Sequence, residues 1–302
     1  AVRTQIVWQV RLIRVGDLGD DVDCDAIRDN PDWDEWVGKS SGEMRARLAP
    51  ADNEVDPCVV PKKAGYRGLD NQLYRVEIHE GSWGWVDGVF QKVNNKPTYK
   101  WSRENGSVQT SWAGPDAASA KVQVGSVGRD DRLGFAAGQW VELTGDTHEL
   151  NRAPGALRTL TGVDNDTLEF QLDSAGPSRP GVGDAPRIVR WEGDGAYDVK
   201  GAYQDLERGV QVLFNKNNRY QTGDYWLVPA RVLTGELGWD DPQLKQQHGP
   251  VHHHSLLGIV ELSGGTWSLH GDPDSDDHDC RPIFPPATEL GQMHYLGGDG
   301  QE

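Results

Sequence analysis

Four of the nine histidines of this 302-residue chain fall between residues 248 and 254, in "HGPVHHHSLLGIVEL" (248–262). On a strand, alternate side chains share a face, so His252 and His254 point one way and His253 the other. With His248 returning across the Gly-Pro turn, His248, His252 and His254 form a candidate transition-metal set, the basis for a metal-dependent hydrolase reading. The spacing supplies no fourth ligand. The favoured reading is therefore that these histidines hydrogen-bond to backbone beside a strand starting at Leu256.

"GDPDSDDHDC" (271–280) places Asp272, Asp274 and Asp276 at i, i+2 and i+4, the way oxygen-rich loops wrap Ca2+. It is not an EF-hand, because Asp277 stands where that loop needs Gly and Ile283 where it needs Glu. A solvated acidic loop is the competing reading.

Twelve tryptophans raise a third chemistry. Trp83 and Trp85, in the loop-like "GSWGWVDG", together with Trp101 and Glu104, are candidate contacts for a sugar ring. Hydrolysis of a glycan would need two carboxylates at a fixed separation. Glu77, Glu80, Glu104 and Asp224 are available, but no spacing selects a pair. Most of the tryptophans are expected in a β core. No P-loop is present, no Ser-His-Asp order stands out, and "GDLGDD" lacks the strand–helix context of a dinucleotide site.

The three cysteines, Cys24, Cys58 and Cys280, include no CxxC pair, which argues against a thiolate zinc site. A Cys24–Cys58 disulfide across the acidic stretch fits an oxidising compartment and leaves Cys280 over; three free thiols are the alternative.

The elements that must position these groups read as β. An apolar fraction of 36% with 37 Gly and 17 Pro favours many short strands and turns. "TQIVWQVRLIRV" (4–15) reads as a strand, "NQLYRVEIHEG" (71–81) as a half-buried one, and "PTYKWSRENGSV" (97–108) as a strand ending in an Asn-Gly turn. Residues 16–64 read as a long acidic excursion. "GQWVEL", "ALRTLTGVDND" and "TLEFQLD" predict a small SH3-like barrel over 127–176. A Gly/Pro-rich linker follows, then a strand at "RIVRWEG", a hairpin over "LERGVQVLFNKNNRYQTGDYWLVPARV" and another over "HHHSLLGIVEL" and "TWSLHGD". The expected architecture is all-β and mostly antiparallel: a multi-hairpin, sandwich-like body with a small barrel insertion and little helix. Its regions would be 1–126, 127–176 and 187–302, the last packing on the first.

The net charge of −17 argues against nucleic acid as a partner. No run of 18 apolar residues exists, so no membrane-inserted helix is expected. The opening "AVRTQIVWQVRL" has no Met, basic leader or apolar signal core, so a mature product or a fragment is expected.

Several stretches taken together resemble an uncharacterised bacterial family, number 6519 among domains of unknown function. They are "GYRGLDNQLYRVEIHEG" with "YKWSRENGSV", "RDDRLGFAAGQWVELTGD", and "RYQTGDYWLVPAR" leading into "HGPVHHHSLLGIVEL"; "RTQIVWQVRL" and "DCRPIFPPATEL" also fit. The resemblance implies motif membership for Arg75, Glu77, Trp101, Arg103, Glu104, Asn105, Tyr225, Trp226, Arg231, His248, His252 and His253. It implies an aromatic at position 254 in relatives, which weakens the metal reading. It also implies modular chains, some near phage-tail-like or contractile-injection machinery, and carries no catalytic residues. The expected function is thus a non-enzymatic structural or interaction module of an extracellular or phage-tail-like assembly, partnered by protein or by itself. Its rivals are a glycan-binding or glycan-hydrolysing protein and the metal-dependent hydrolase. Ca2+ is the one cofactor with a plausible loop, ahead of a transition metal.

Overall fold

The computed structural model describes residues 6–16, 18–19, 22–50, 65–114, 120–171, 180–239, 243–249, 252–270 and 279–281. Cys58 and the triplet Asp272, Asp274 and Asp276 lie outside the described residues. The chain divides into two compact units: Gly38–Pro250, and Ala1–Val37 together with Val251–Glu302.

In chain order the elements begin with helices α1 (Cys24–Arg28) and α2 (Trp33–Trp36) and strands β1 (Glu43–Leu48), β2 (Gln72–Glu80), β3 (Trp83–Val86), β4 (Val89–Lys92) and β5 (Thr98–Ser102). Next come β6 (Gln109–Gly114), β7 (Lys121–Val124), β8 (Trp140–Thr144), helix α3 (Asp146–Asn151), β9 (Ala156–Asp164), β10 (Thr167–Phe170) and β11 (Arg187–Asp198). The last are β12 (Gln204–Asp205), β13 (Val210–Phe214), β14 (Tyr225–Arg231), β15 (Glu236–Leu237), β16 (Lys245–Gln246), β17 (Val260–Ser263) and β18 (Thr266–Leu269). The fold is therefore nearly all β with antiparallel ladders and little helix.

In the larger unit, β15, β14, β2, β5 and β11 form an open sheet in that order, and β11 continues through β6, β7, β10, β9 and β8. Strand β8 pairs back onto β11, closing a six-stranded barrel. The barrel takes in β6, β7 and β11, so it reaches beyond the 127–176 stretch on both sides. Its interior holds Trp112, Val122, Val141, Leu143, Leu160, Leu168 and Ile188. These residues alternate with outward ones, as closure requires. Residues Arg187–Trp191 of β11 pair with β8, and Glu192 and Tyr197 then pair with β5 across a bulge. The bulge needs Gly195, whose φ is +98° and where a Cβ would lie 3.0 Å from the Trp140 ring.

A second sheet, β12-β13-β1-β16, covers one face of the open sheet. Met44, Ala46, Val210, Val212 and Phe214 from this sheet meet Tyr74, Val76, Ile78, Tyr99, Trp226 and Val228 from the other in one core. Two expectations change here. The acidic excursion contributes β1, a central strand whose Met44 and Ala46 are fully buried. And β13 and β14 are not a hairpin: β13 pairs with β1 and β12, and β14 with β2 and β15. They lie in opposite sheets, with the Phe214 and Trp226 rings 5.7 Å apart between them. Both strands alternate in burial, so each has one face covered by the opposite sheet.

Strand β2 pairs with β5, with Arg75 opposite Ser102, and the expected Asn-Gly turn after β5 has positive φ at both Asn105 and Gly106. "GSWGWVDG", expected as a loop, is instead the first half of the β3–β4 hairpin, turned by Asp87 and Gly88 at positive φ.

In the smaller unit, α1 is capped by the Asp23 carboxylate, which accepts from the Ala26 amide at 2.7 Å. Strands β17 and β18 form the expected hairpin across Gly264-Gly265, but the strand begins at Val260 rather than Leu256. The expected strand over 4–15 is corrected for its described part. Residues 6–16 join no sheet, because a strand needs a neighbouring ladder and none is offered among the described residues. Cys24 is bonded to Cys280, not to Cys58, across 256 residues. The Cys280 amide donates to Leu257 O at 3.1 Å, and Asp279 bridges Gly258, so backbone bonds hold the cysteine in place.

Candidate functional site

Two places in the larger unit gather groups with chemistry: a buried ion network where open sheet and barrel meet, and a cleft beside the β3–β4 hairpin.

The network follows from strand alternation. On β2, Tyr74, Val76 and Ile78 face the core, which turns Arg75, Glu77 and His79 to the opposite face. Lys100 stands opposite Glu77 on β5, and Glu142 projects from the outside of β8. Lys100 Nζ contacts Glu142 Oε2 and lies 3.2 Å from Glu77 Oε1. Trp191 Nε1 donates to Glu142 Oε2 at 2.9 Å and the Gly155 amide to Oε1 at 3.1 Å. His79 Nδ1 is 3.6 Å from Oε1. Burial by itself pushes the Glu142 carboxyl up, but Lys100 and His79 outweigh it and hold it well below the usual carboxylate range.

From Glu77 the network runs outward. Arg75 donates to Glu77 at 2.6 Å and lies 3.7 Å over the Tyr225 ring, which stacks on His248 with centroids 5.8 Å apart. A second cluster joins Arg103 to Glu192 and Glu207, each at 3.0 Å, and Arg190 to Glu192 at 3.3 Å. The Tyr74 hydroxyl donates to Glu207 at 3.0 Å. Burial pushes the Glu192 carboxyl up against the pull of Arg103 and Arg190. Arg75, Lys100, Arg103 and Arg190 thus face Glu77, Glu142, Glu192 and Glu207, with Arg208 a fifth cation 3.8 Å from Glu207.

The cleft has a volume of about 460 Å3. Trp83 and Trp85, two apart on β3, share a face and pack on Phe90 with centroids 5.6 and 5.5 Å away. Their side of the cleft continues through Gly84, Val93 and Asn94. Glu80, Gly81, Gln221 and Thr222 line the floor, and Asn151, Arg152, Ala153 and Pro154 the far wall. Gly81 is where two segments of the chain meet closely: its amide donates to Thr222 Oγ1 at 3.1 Å, and a Cβ there would lie 2.7 Å from the Thr222 amide. Arg152 caps α3 in the left-handed conformation, φ 51° and ψ 43°, which turns the chain into the wall.

Behind the floor, the buried Asp224 accepts from the Gln221 amide at 2.9 Å and from Ser40. Burial pushes its carboxyl up to about 6, against these two hydrogen bonds and Arg152. Ser40 is the centre of Gly38-Lys39-Ser40-Ser41-Gly42, a GxSxG spacing. It precedes a strand rather than sitting between strand and helix, and its carboxylate neighbour is joined by no histidine among the hydrogen bonds of the described residues.

The predicted site residues are therefore dispersed. Trp83 and Trp85 share the cleft; Trp101 is buried against Tyr74 in the sandwich core, which removes it from any surface site. Glu104 lies at the bridge to Leu73 beyond β5 and does not line the cleft. Glu80 lines the cleft, whereas Glu77 and Asp224 are committed to internal partners. His248 bridges Tyr225 within the larger unit. His252 and His254 lie outside any strand in the smaller unit, with their rings stacked 6.0 Å apart. Among the described residues no three His, Cys, Asp or Glu side chains gather to hold a metal. Of the five buried tryptophans, Trp191 bonds Glu142, and the seven others keep partial or full exposure. Lys100, Glu142, Asn151 and Arg152 went unread. The signal for the first two was a charge set inside an apolar run, "TYKWS" and "WVELT".

The model of the family of unknown function DUF6519 matches residues 19–266, and the chain belongs to that family. No curated protein and no solved structure matches it. No helix among the described residues is long and apolar enough to cross a membrane.

Proposed function

We propose that this DUF6519 member is a non-enzymatic interaction module that joins a larger extracellular assembly through its smaller unit. The observation that carries the reading is the outward placement of large apolar side chains there. Ile6, Val7, Trp8 and Val10 are 78, 49, 91 and 84% exposed, a run of apolar side chains on a segment that joins no sheet among the described residues. On the β17–β18 hairpin, Val260 pairs with Leu269 and Leu262 with Trp267, so all four share one face, and all four are exposed. Apolar surface of this kind marks interaction sites. A two-stranded hairpin is marginal alone and gains stability when a third strand or a partner covers it.

Two further observations support the reading. Each carboxylate between open sheet and barrel is matched by a cation, as in a structural joint rather than a poised acid–base pair. The Cys24–Cys280 bond suits an oxidising setting, such as a secreted or phage-tail-like particle. The test is molar mass by light scattering for the wild-type chain and for a Trp8→Glu/Trp267→Glu variant. Assembly of the wild type and its loss in the variant are expected. A wild type that stays monomeric at every concentration, or a variant that assembles equally well, counts against it.

A further inference from the structure

We infer that the cleft beside the β3–β4 hairpin is a binding site for a neutral saccharide. This inference is independent of the assembly reading, which concerns the other unit.

The cleft's volume of about 460 Å3 lies within the range of sites that hold a small ligand, about 300–1,000 Å3. Its lining is amphipathic in a specific way. Trp83 and Trp85 supply broad, rigid, apolar surface, the complement of the C–H face of a pyranose ring. Both rings pack on Phe90, which limits their movement, and the Arg219 guanidinium lies 5.7 Å from the Trp83 ring centroid. Asn151 donates its amide to Thr147 O at 2.9 Å, which fixes the side chain and leaves its carbonyl oxygen to accept. Thr222 Oγ1 accepts from the Gly81 amide, which leaves its hydroxyl proton to donate. Glu80 is exposed at the edge. Placed acceptors and a donor around an aromatic platform are what ring hydroxyls require.

Charge selects the neutral class. Glu80 and Arg152 are the two charged residues in the lining and cancel. The chain as a whole carries −17, which repels phosphates, sulfates and uronates. Glu80 is also the one carboxylate among the described lining residues, whereas glycoside hydrolysis calls for a pair. The site therefore binds without cleaving.

The experiment titrates the whole chain with cello-, chito-, malto-, xylo- and mannohexaose. Calorimetry supplies the affinity and the Trp indole resonances report the location. At least one neutral hexasaccharide is expected to bind with a Kd of about 10 μM to 1 mM. Trp85→Ala weakens it at least tenfold. Because Trp85 also packs on Phe90, Glu80→Ala at the exposed edge serves as the variant that leaves the fold intact, and weakens binding about threefold. Absence of binding by every member of the panel at about 10 mM overturns the inference. So does binding that neither variant weakens, binding confined to anionic saccharides, or release of reducing ends on incubation.

Discussion

Lys100 on β5 and Glu142 on β8 form the ion pair that ties the open sheet to the barrel, and each is held by further partners. Glu77 approaches Lys100 to 3.2 Å, and Trp191 and Gly155 donate to Glu142. Both side chains are buried, so the pair contributes little net stability relative to an apolar pair, yet losing one member is costly. Lys100→Met strands Glu142 and is expected to cost about 3–5 kcal/mol in urea denaturation. Lys100→Met/Glu142→Gln, which removes both charges and keeps a carbonyl oxygen as acceptor, recovers most of the loss. A single-variant loss below about 1 kcal/mol would contradict the pairing.

The same pair sets an acid limit. The folded Glu142 carboxyl is held below its unfolded value, so its contribution is present above the unfolded value near 4.5 and is lost as pH falls through the folded one. Wild-type stability is expected to drop more steeply below pH 4 than that of the double variant, measured by chemical denaturation across pH.

Asp224 acts with the opposite sign. Its carboxyl is raised from 3.8 to about 6, so the fold binds a proton more tightly than the unfolded chain does. Stability from this group is fully present below about pH 4 and is lost as pH rises through about 6, on the order of 3 kcal/mol. Both hydrogen bonds reach one oxygen, Oδ2, which an amide carbonyl can replace. Asp224→Asn is expected to match the wild type near pH 4 and to exceed it at pH 7–8. Parallel stability curves for the two proteins would remove this account.

Gly81→Ala tests how closely the cleft floor is packed. A methyl there meets Thr222 N at 2.7 Å and Tyr220 O at 2.8 Å, both backbone atoms that a rotamer change cannot clear. A loss of about 1–3 kcal/mol is expected in thermal denaturation, with the floor displaced.

The Cys24–Cys280 bond predicts a peptide map. Under non-reducing conditions those two cysteines appear linked and Cys58 takes the alkylating label. Closing a loop of 256 residues limits the entropic stabilisation to about 5 kcal/mol, lost on reduction or in Cys280→Ser. Recovery of a Cys24–Cys58 peptide instead would overturn the assignment.

Local pattern carried much of this protein. Alternation in "NQLYRVEIHEG" and positive φ at Asn105 and Gly106 are properties of a residue and its immediate neighbours, so β2, β5 and the turn after β5 were legible, as were the all-β class and the family. The barrel was legible only in part, because β6, β7 and β11 come from outside the run of closely spaced strands. What no local pattern holds is which strand pairs with which. β13 and β14 read as a hairpin, and the excursion around β1 reads as irregular; only the shared aromatic core sends them to facing sheets. The sites obey the same division. Trp83, Trp85 and Glu80 stood out by type, but their partners Asn151, Arg152 and Thr222 lie about 70 to 140 positions away. Lys100 and Glu142 are ordinary charges in sequence. Tertiary packing alone, by taking both out of water, turned them into a joint.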